Sequence, residues 1–381
     1  MIVPRGRSCV NGRPVLHMTA LFLTVLAAGC RSPEREDVDD RRPAERERVE
    51  ARPHAPKAKP GEFTPERREK LLADLEDPWR RDEAARTLGR AREKRAVRPL
   101  IDAMHDDPKP VYIEALGRIG DERALDYLLA LAPQYVAPGN RSNRDVAVFA
   151  EAIARLARER ALPSLMTLSR HPHDPVRAHA ARGLAKMKNL MALDRLRVMM
   201  QTDPVAPVAV EALGYVGTEA AVKALAAELD VLSDQYFAEL KRTPAPGRRV
   251  DLDPSKPQYI VRSLVATRRA SALRPVYARL IEWHAVDLVA FQKRGGHIRT
   301  VYADMEAAWQ LTGDDALRKQ LPSATLEETW PVDRRADEYA RRLDVFLAWW
   351  KKHEAEVEAL AAGGKRFPHA AEVTIVLYDD R

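Results

Sequence analysis

The feature that most constrains this chain is a seven-residue pattern used twice. Glu114-Ala115-Leu116-Gly117-Arg118-Ile119-Gly120 returns 97 positions later as Glu211-Ala212-Leu213-Gly214-Tyr215-Val216-Gly217. Each copy is followed by a second stretch with apolar residues at helical spacing, Ala124 and Leu128 after the first, Ala221 and Leu225 after the second. Weaker copies surround them: Ala84-Ala85 with Leu88-Gly89, Ala152-Ile153 with Leu156, and Ala180-Ala181 with Leu184. With Leu88, Leu116, Ile153, Leu184 and Leu213 as equivalent points, the steps are 28, 37, 31 and 29 residues. A unit of two short amphipathic helices cannot cover its own apolar face, so the units must stack into an array. Alanines let neighbouring helices approach, leucine and isoleucine fill the seam, and the second glycine of each motif can end its helix in the left-handed conformation.

His173-Asp174-Pro175-Val176-Arg177, followed by Ala180-Ala181, resembles the Asp-x-Val-Arg-x-x-Ala-Ala element of HEAT-like repeats, in the short form named after phycobilisome lyases. The resemblance covers residues 66–230 well and 257–320 poorly. It implies an all-α fold, an α-solenoid of stacked HEAT-like helical pairs. It also implies that the Asp and Arg of successive repeats form a ladder, so Arg177 is expected to be structural. Activity is not implied, because a fold hosts many functions.

Folding is expected to begin at Thr64-Pro65, with Thr as N-cap and Pro in the first turn, and repeats to run over residues 64–230. Two insertions interrupt the period. Residues 133–146 carry Pro133, Pro138, Gly139 and Asn140. Residues 231–258 form a basic, Pro-rich insertion with Lys241, Arg242, Arg248 and Arg249, and with Tyr236 and Phe237. Insertions between repeats emerge as loops, often beside a binding face, and these six residues are the candidate partner contacts. Residues 259–381 read as degenerate repeats. Leu264-Val265-Ala266 leads into a long helical stretch from Ser271 to Phe291, and Ala307 to Gly313 forms a last copy. A long capping helix then runs from about Asp333 to Ala361, with Ala336, Ala340, Leu343, Leu347 and Trp350 on one stripe. Trp349 falls off that stripe. Val373–Tyr378 reads as a short terminal strand, which needs a partner or a local sheet to be stable.

The N-terminus addresses the chain. Arg5, Arg7 and Arg13 precede an apolar run from Val15 to Gly29, too short to span a bilayer, which is the pattern of a secretory signal over residues 1–29. Leu26-Ala27-Ala28-Gly29-Cys30 resembles the lipobox of bacterial lipoproteins, although Ala27 stands where Leu is commoner. The resemblance implies diacylation of Cys30, cleavage before it and a lipid anchor in the cell envelope. The alternative is an ordinary signal peptide with Cys30 incidental. Arg31, in place of the Asp that retains enterobacterial lipoproteins at the inner membrane, favours an outer-membrane location facing the periplasm. Cys9 would be removed, so no internal disulfide is available. Between Arg31 and Pro60 lie nine Lys/Arg, eight Asp/Glu and five prolines, and residues 30–63 are therefore expected to be a disordered tether. Such a coil would reach roughly 30 Å on average.

Loss of the three signal arginines lowers the formal charge from +7 to +4, too little to mark a nucleic-acid binder. His171, His173 and His179 lie near one turn, but nothing in the sequence completes a four-ligand metal set, and no metal or cofactor is expected. Gly363-Gly364-Lys365 lacks the rest of a phosphate loop, and no hydrolase, zinc-protease or dinucleotide signature is present. The expected function is a non-catalytic protein-protein interaction scaffold, anchored by lipid and binding another envelope protein on the concave helical face. The alternatives are binding of an envelope polymer, peptidoglycan or polysaccharide, and a bilin-lyase-like enzyme, which the family name alone suggests.

Overall fold

The computed structural model describes residues 63–137, 139, 141–241, 255–293, 296, 298–321, 330–371, 373, 375 and 377–378. Contacts divide the chain into Met1–Lys57, outside the described residues, and Ala58–Arg381, which holds every element below. The expected signal peptide, Cys30 and the charged tether lie outside the described residues.

The first helix, α1 (Pro65–Asp74), starts as the sequence predicts: the Thr64 hydroxyl accepts from the Arg67 amide at 3.2 Å and proline fills the first turn. Helical pairs then follow in order. They are α2 (Arg81–Arg90) with α3 (Val97–Asp106), α4 (Pro110–Ile119) with α5 (Glu122–Val136), and α6 (Asn143–Arg155) with α7 (Leu162–Leu168). Next come α8 (Asp174–Met187) with α9 (Leu190–Thr202), α10 (Ala206–Val216) with α11 (Glu219–Lys241), and α12 (Ser255–Thr267) with α13 (Leu273–His284). The first helices of the pairs pack on one another as a continuous row, α2 on α4, α4 on α6, and onward to α12. Leu88, Leu116, Ile153, Leu184 and Leu213, the residues that define the period, are fully buried at successive seams. Burying each such side chain contributes about 1.5–3 kcal/mol.

Both glycines of the repeated motif have a job. Gly120 and Gly217 take φ of +74° and +61° and cap α4 and α10, donating to the carbonyls of Leu116 and Leu213. Gly117 is a contact residue: a Cβ there would stand 2.6 Å from Ala152 Cα, so α4 and α6 meet backbone to side chain. The array is all-α, as expected, and among the described residues no strand occurs beyond one isolated bridge between Arg269 and Arg366.

Several sequence boundaries shift. Pro133 lies inside α5, and α6 begins at Asn143, so the first insertion shrinks to the turn between them. The stretch from Ser271 to Phe291 is not one helix. A 3-10 turn at Ala270–Ala272, α13 and α14 (Leu288–Lys293) divide it, the chain turning after His284. Two helices follow, α15 (Arg299–Thr312), capped by Gly313 at φ +66°, and the short α16 (Asp315–Arg318).

The long helix is α17 (Val332–Ala362), and it packs on α13 and α14 as a cap. Its buried residues are Ala336, Tyr339, Leu343, Phe346, Trp350 and Val357, while Ala340 is exposed and Leu347 half-buried. Both stripes alternate steps of three and four through Ala336, Leu343 and Trp350, and the buried one takes the larger Tyr339 and Phe346 in place of Ala340 and Leu347. Trp350 stacks on Tyr277 with ring centroids 4.7 Å apart, and the half-buried Trp349 donates to Asp314 at 2.8 Å. Behind this cap lies a buried polar knot. Asp304 Oδ2 accepts from Arg279 Nε at 3.0 Å and from Trp283 Nε1 at 2.8 Å, and Arg279 donates onward to Ser233 at 2.9 Å.

The predicted terminal strand, 373–378, falls partly outside the described residues, and those described there are in neither helix nor strand. No described helix is long and apolar enough to cross a membrane.

Candidate interaction face

The row of first helices carries a polar ladder near its helix N-termini. Arg177 Nε donates to both carboxylate oxygens of Asp203, at 2.9 and 2.8 Å, Nη1 to the carbonyls of His171 and Pro172, and Nη2 to Asp174 at 2.5 Å. Its donors are thereby committed to tying α8 to the turn before α10, the structural role the sequence implied. Three rungs earlier, Asp82 of α2 accepts from Tyr112 at 2.8 Å and from Lys109 at 3.2 Å, both at the start of α4. Burial opposes the Asp82 carboxylate, but the bonds from Tyr112 and Lys109 outweigh it and hold its pKa below the ordinary value. Burial, then the bond to Asp82, pushes the Tyr112 phenol up to about 12. Beside this rung a cleft of about 410 Å³ opens over α2, α4 and α6, lined by Asp82, Arg86, Lys109, Glu114, Arg144 and Val148.

The C-terminal segment lies along the same row. After α17 the chain is pinned at Arg269, whose guanidinium donates to the carbonyls of Gly217 at 2.7 Å and Gly364 at 2.9 Å and to Glu219 at 3.0 Å. The backbone of His369 occupies the space a Cβ on Gly313 would need, and the Ala371 amide donates to the Gln310 carbonyl of α15 at 2.7 Å. Further on, Ile375 sits over Gly214: a Cβ at that glycine would stand 2.6 Å from Ile375 Cδ1. Tyr378 reaches α8 and α6. Its ring has Arg155, Lys186 and Arg182 at 4.5, 5.2 and 5.7 Å, lies parallel to the His179 ring at 6.2 Å, and its hydroxyl donates to the His179 carbonyl at 3.5 Å.

The residues singled out from the sequence fare unequally. Tyr236 and Phe237 are a correction: they are buried on α11, which continues helically to Lys241, and both rings pack on Trp283 with centroids 5.8 and 5.0 Å away. They hold the core and offer no surface to a partner. The insertion is accordingly shorter than 231–258, helix occupying both of its ends. Lys241 is exposed at the end of α11 and paired with Glu282 at 2.8 Å. Arg242, Arg248 and Arg249 lie outside the described residues, as does Cys30. His171 Nδ1 accepts from the His173 amide at 3.1 Å, before α8, while His179 faces Tyr378. Among the described residues no group of three or more His, Cys, Asp or Glu is placed to hold a metal ion. Sequence reading missed the docking of Ile375 and Tyr378. The sequence signal for it is the run of apolar residues at 373–378, whose alternation also fits a strand.

A family comparison agrees with this architecture over part of the chain. The HEAT-repeat family model matches residues 67–142 and 139–214, which covers α2 to most of α10. A solved structure, the complex of CpcE and CpcF of phycocyanin lyase from Nostoc sp. PCC7120, aligns at 20% identity with a TM-score of 0.34, covering 55% of this chain and 79% of that chain. A likeness of that degree bears on neither activity nor substrate. No curated protein matches the chain.

Proposed function

We propose that the HEAT repeats of residues 67–214, with the helical pairs that extend them, form a non-catalytic interaction scaffold held at a bacterial cell envelope by a lipid on Cys30. The observation that carries the reading is the use of the first-helix row. Polar groups of Arg177 and Asp82 are committed to tying repeat to repeat, and residues of the C-terminal segment pack on the row, a surface of the kind on which a repeat array takes a protein ligand. The lipidated address comes from the Leu26 to Cys30 pattern. Lys241, Arg242, Arg248 and Arg249 would sit at the rim, where basic groups raise association rate and salt sensitivity more than affinity.

The test is capture from membranes with the intact chain, followed by mass spectrometry, in three forms. Wild type should be labelled by fatty acid and retain an envelope protein. Cys30→Ala should remain an unlabelled precursor, since the thiol is the acceptor and two chains suffice for stable attachment. A deletion of 242–254, which spares α11 and α12, should capture less at low salt. Soluble, unlabelled wild-type protein would remove the anchor. Turnover of a substrate by the purified chain would remove the non-catalytic reading.

A further inference from the structure

The cleft of about 410 Å³ over α2, α4 and α6 has a balanced lining. Arg86 of α2, Lys109 before α4 and Arg144 of α6 bring three positive charges, and Asp82 of α2, Glu114 of α4 and Asp145 of α6 bring three negative ones. We propose that this cleft, together with Trp79 at the entry to α2, binds a neutral oligosaccharide. The proposal goes beyond the scaffold reading and does not depend on it. The volume lies within the roughly 300–1,000 Å³ of small-ligand sites.

Charge selects the class of ligand. An anion drawn by Arg86 and Arg144 would stand against Glu114 and Asp145, and a cation would meet the reverse. A hydroxyl both donates and accepts, so a neutral polyhydroxylated ligand can use the carboxylates and the guanidiniums together. The charged groups of the wall are held in place without being used up. Asp82 Oδ1 accepts from Tyr112 at 2.8 Å and Lys109 at 3.2 Å, while Oδ2 accepts from Lys109 at 3.4 Å, and a carboxylate offers about four acceptor sites. The bond to Asp107, then that to Asp82, hold the Lys109 ammonium up at about 12. Glu114 Oε1 takes Arg118 at 3.0 Å, and Arg86 reaches Glu83 at 3.5 Å with both side chains open to solvent. Arg144 is exposed and enters no ion pair among the described residues.

Apolar groups supply the rest of what a sugar ring needs. Half-buried Val111 and Val148 lie among the polar lining and suit the C–H face of a ring. Trp79 stands three residues before Asp82 and is 93% exposed, against the usual extensive burial of tryptophan. Its backbone is fixed, because its amide donates to Asp77 Oδ1 at 2.9 Å and the Arg81 amide donates to the Asp77 carbonyl at 2.9 Å. An indole left open on a held turn presents a negative π face, which attracts the positively polarised C–H groups of a sugar.

The experiment titrates the full chain in a calorimeter with sugar tetramers. Two are neutral, β-1,4-linked N-acetylglucosamine and β-1,4-linked glucose; one is cationic, β-1,4-linked glucosamine; one is anionic, galacturonic acid. At least one neutral tetramer should bind, and both charged ones should bind about tenfold more weakly or less, because each sets one charge against its like. Arg144→Ala should weaken binding of the neutral tetramer by about tenfold, the worth of a hydrogen bond to a charged group. Trp79→Ala should weaken it by a similar factor and should remove the blue shift of tryptophan emission that the tetramer produces in wild type. Both side chains are exposed, so thermal melts of the two variants should match wild type. Arg98→Ala on α3, outside the cleft lining, should bind as wild type does. Absence of binding by both neutral tetramers, undiminished binding in Arg144→Ala or Trp79→Ala, or a preference for a charged tetramer overturns the proposal.

Discussion

Gly117→Ala should destabilise the array although it places a better helix former in a helix. Gly117 lies on α4 against α6, and the added Cβ would stand 2.6 Å from Ala152 Cα and 2.7 Å from Ala152 Cβ. Carbon atoms rest about 3.5–4.0 Å apart, so the two helices must separate by about 1 Å. Both contact atoms are on or next to backbone, so no side chain can swing away. The seam that would open is lined by Ile113, Leu116, Phe149 and Ile153, all fully buried. Overpacking of this kind costs about 1–3 kcal/mol, and relief of glycine's backbone entropy returns about 0.5–1 kcal/mol, leaving a net loss of about 1–2 kcal/mol. Urea unfolding followed by circular dichroism measures it. Hydrogen exchange should place the loss at α4 and α6, because contacts in an array are between neighbours. Adding Ala152→Gly removes the 2.7 Å clash but not the 2.6 Å one, so rescue should be partial, with a measurable coupling between the two sites. Gly120→Ala is the control. Its Cβ would meet nothing closer than 4.0 Å, and it should lose about 1–2 kcal/mol through its left-handed backbone alone, without coupling to position 152. Wild-type or higher stability in Gly117→Ala would refute the argument that helix approach demands this glycine.

Two further predictions follow from buried charge. Asp304→Ala strands the Arg279 guanidinium, which is 2% exposed, and should cost about 3–5 kcal/mol, whereas Arg279→Met with Asp304→Leu together should cost much less in thermal melts. Burial, opposed by Glu151 and reinforced by Arg182 and Arg155, holds the His179 imidazole down at about 4. A depressed imidazole stays neutral in the folded chain while the unfolded chain protonates, so its contribution is complete above about 6.5 and is lost as pH falls toward 4. Stability measured at pH 7 and pH 5 should therefore differ more in wild type than in His179→Gln, and equal differences would rule this group out.

The array was legible because its signal is local and repeated. Leu88, Leu116, Ile153, Leu184 and Leu213 could be aligned without knowing what they touch, and the left-handed caps at Gly120 and Gly217 follow from the same pattern. The insertion was misjudged for a related reason. Leu229, Ser233, Phe237 and Leu240 continue the helical spacing of α11, but the arginines and prolines beyond Lys241 drew the boundary too early. On α17 two stripes share Ala336, Leu343 and Trp350, and spacing alone does not say whether Tyr339 and Phe346 or Ala340 and Leu347 complete the buried face. Gly117 and Gly214 look alike in sequence and meet different neighbours, a helix in one case, a helix and the tail in the other. The candidate site was least legible of all. Its parts come from α6, α8, α10 and the last residues of the chain, and no periodicity links them.

The route of the C-terminal segment has a kinetic side. From α2 to α12 the helices pack on those of neighbouring repeats, so repeats can close one after another as the chain emerges. The hydrogen bond from Tyr378 to His179 spans 199 residues and cannot close until all of them have been made. Loop-closure entropy grows slowly with length, each doubling adding about 0.6 kcal/mol, so the delay rather than the cost distinguishes this contact. During that interval the repeats can already be closed on one another while the face of α6, α8 and α10 that Ile375 and Tyr378 cover still meets solvent.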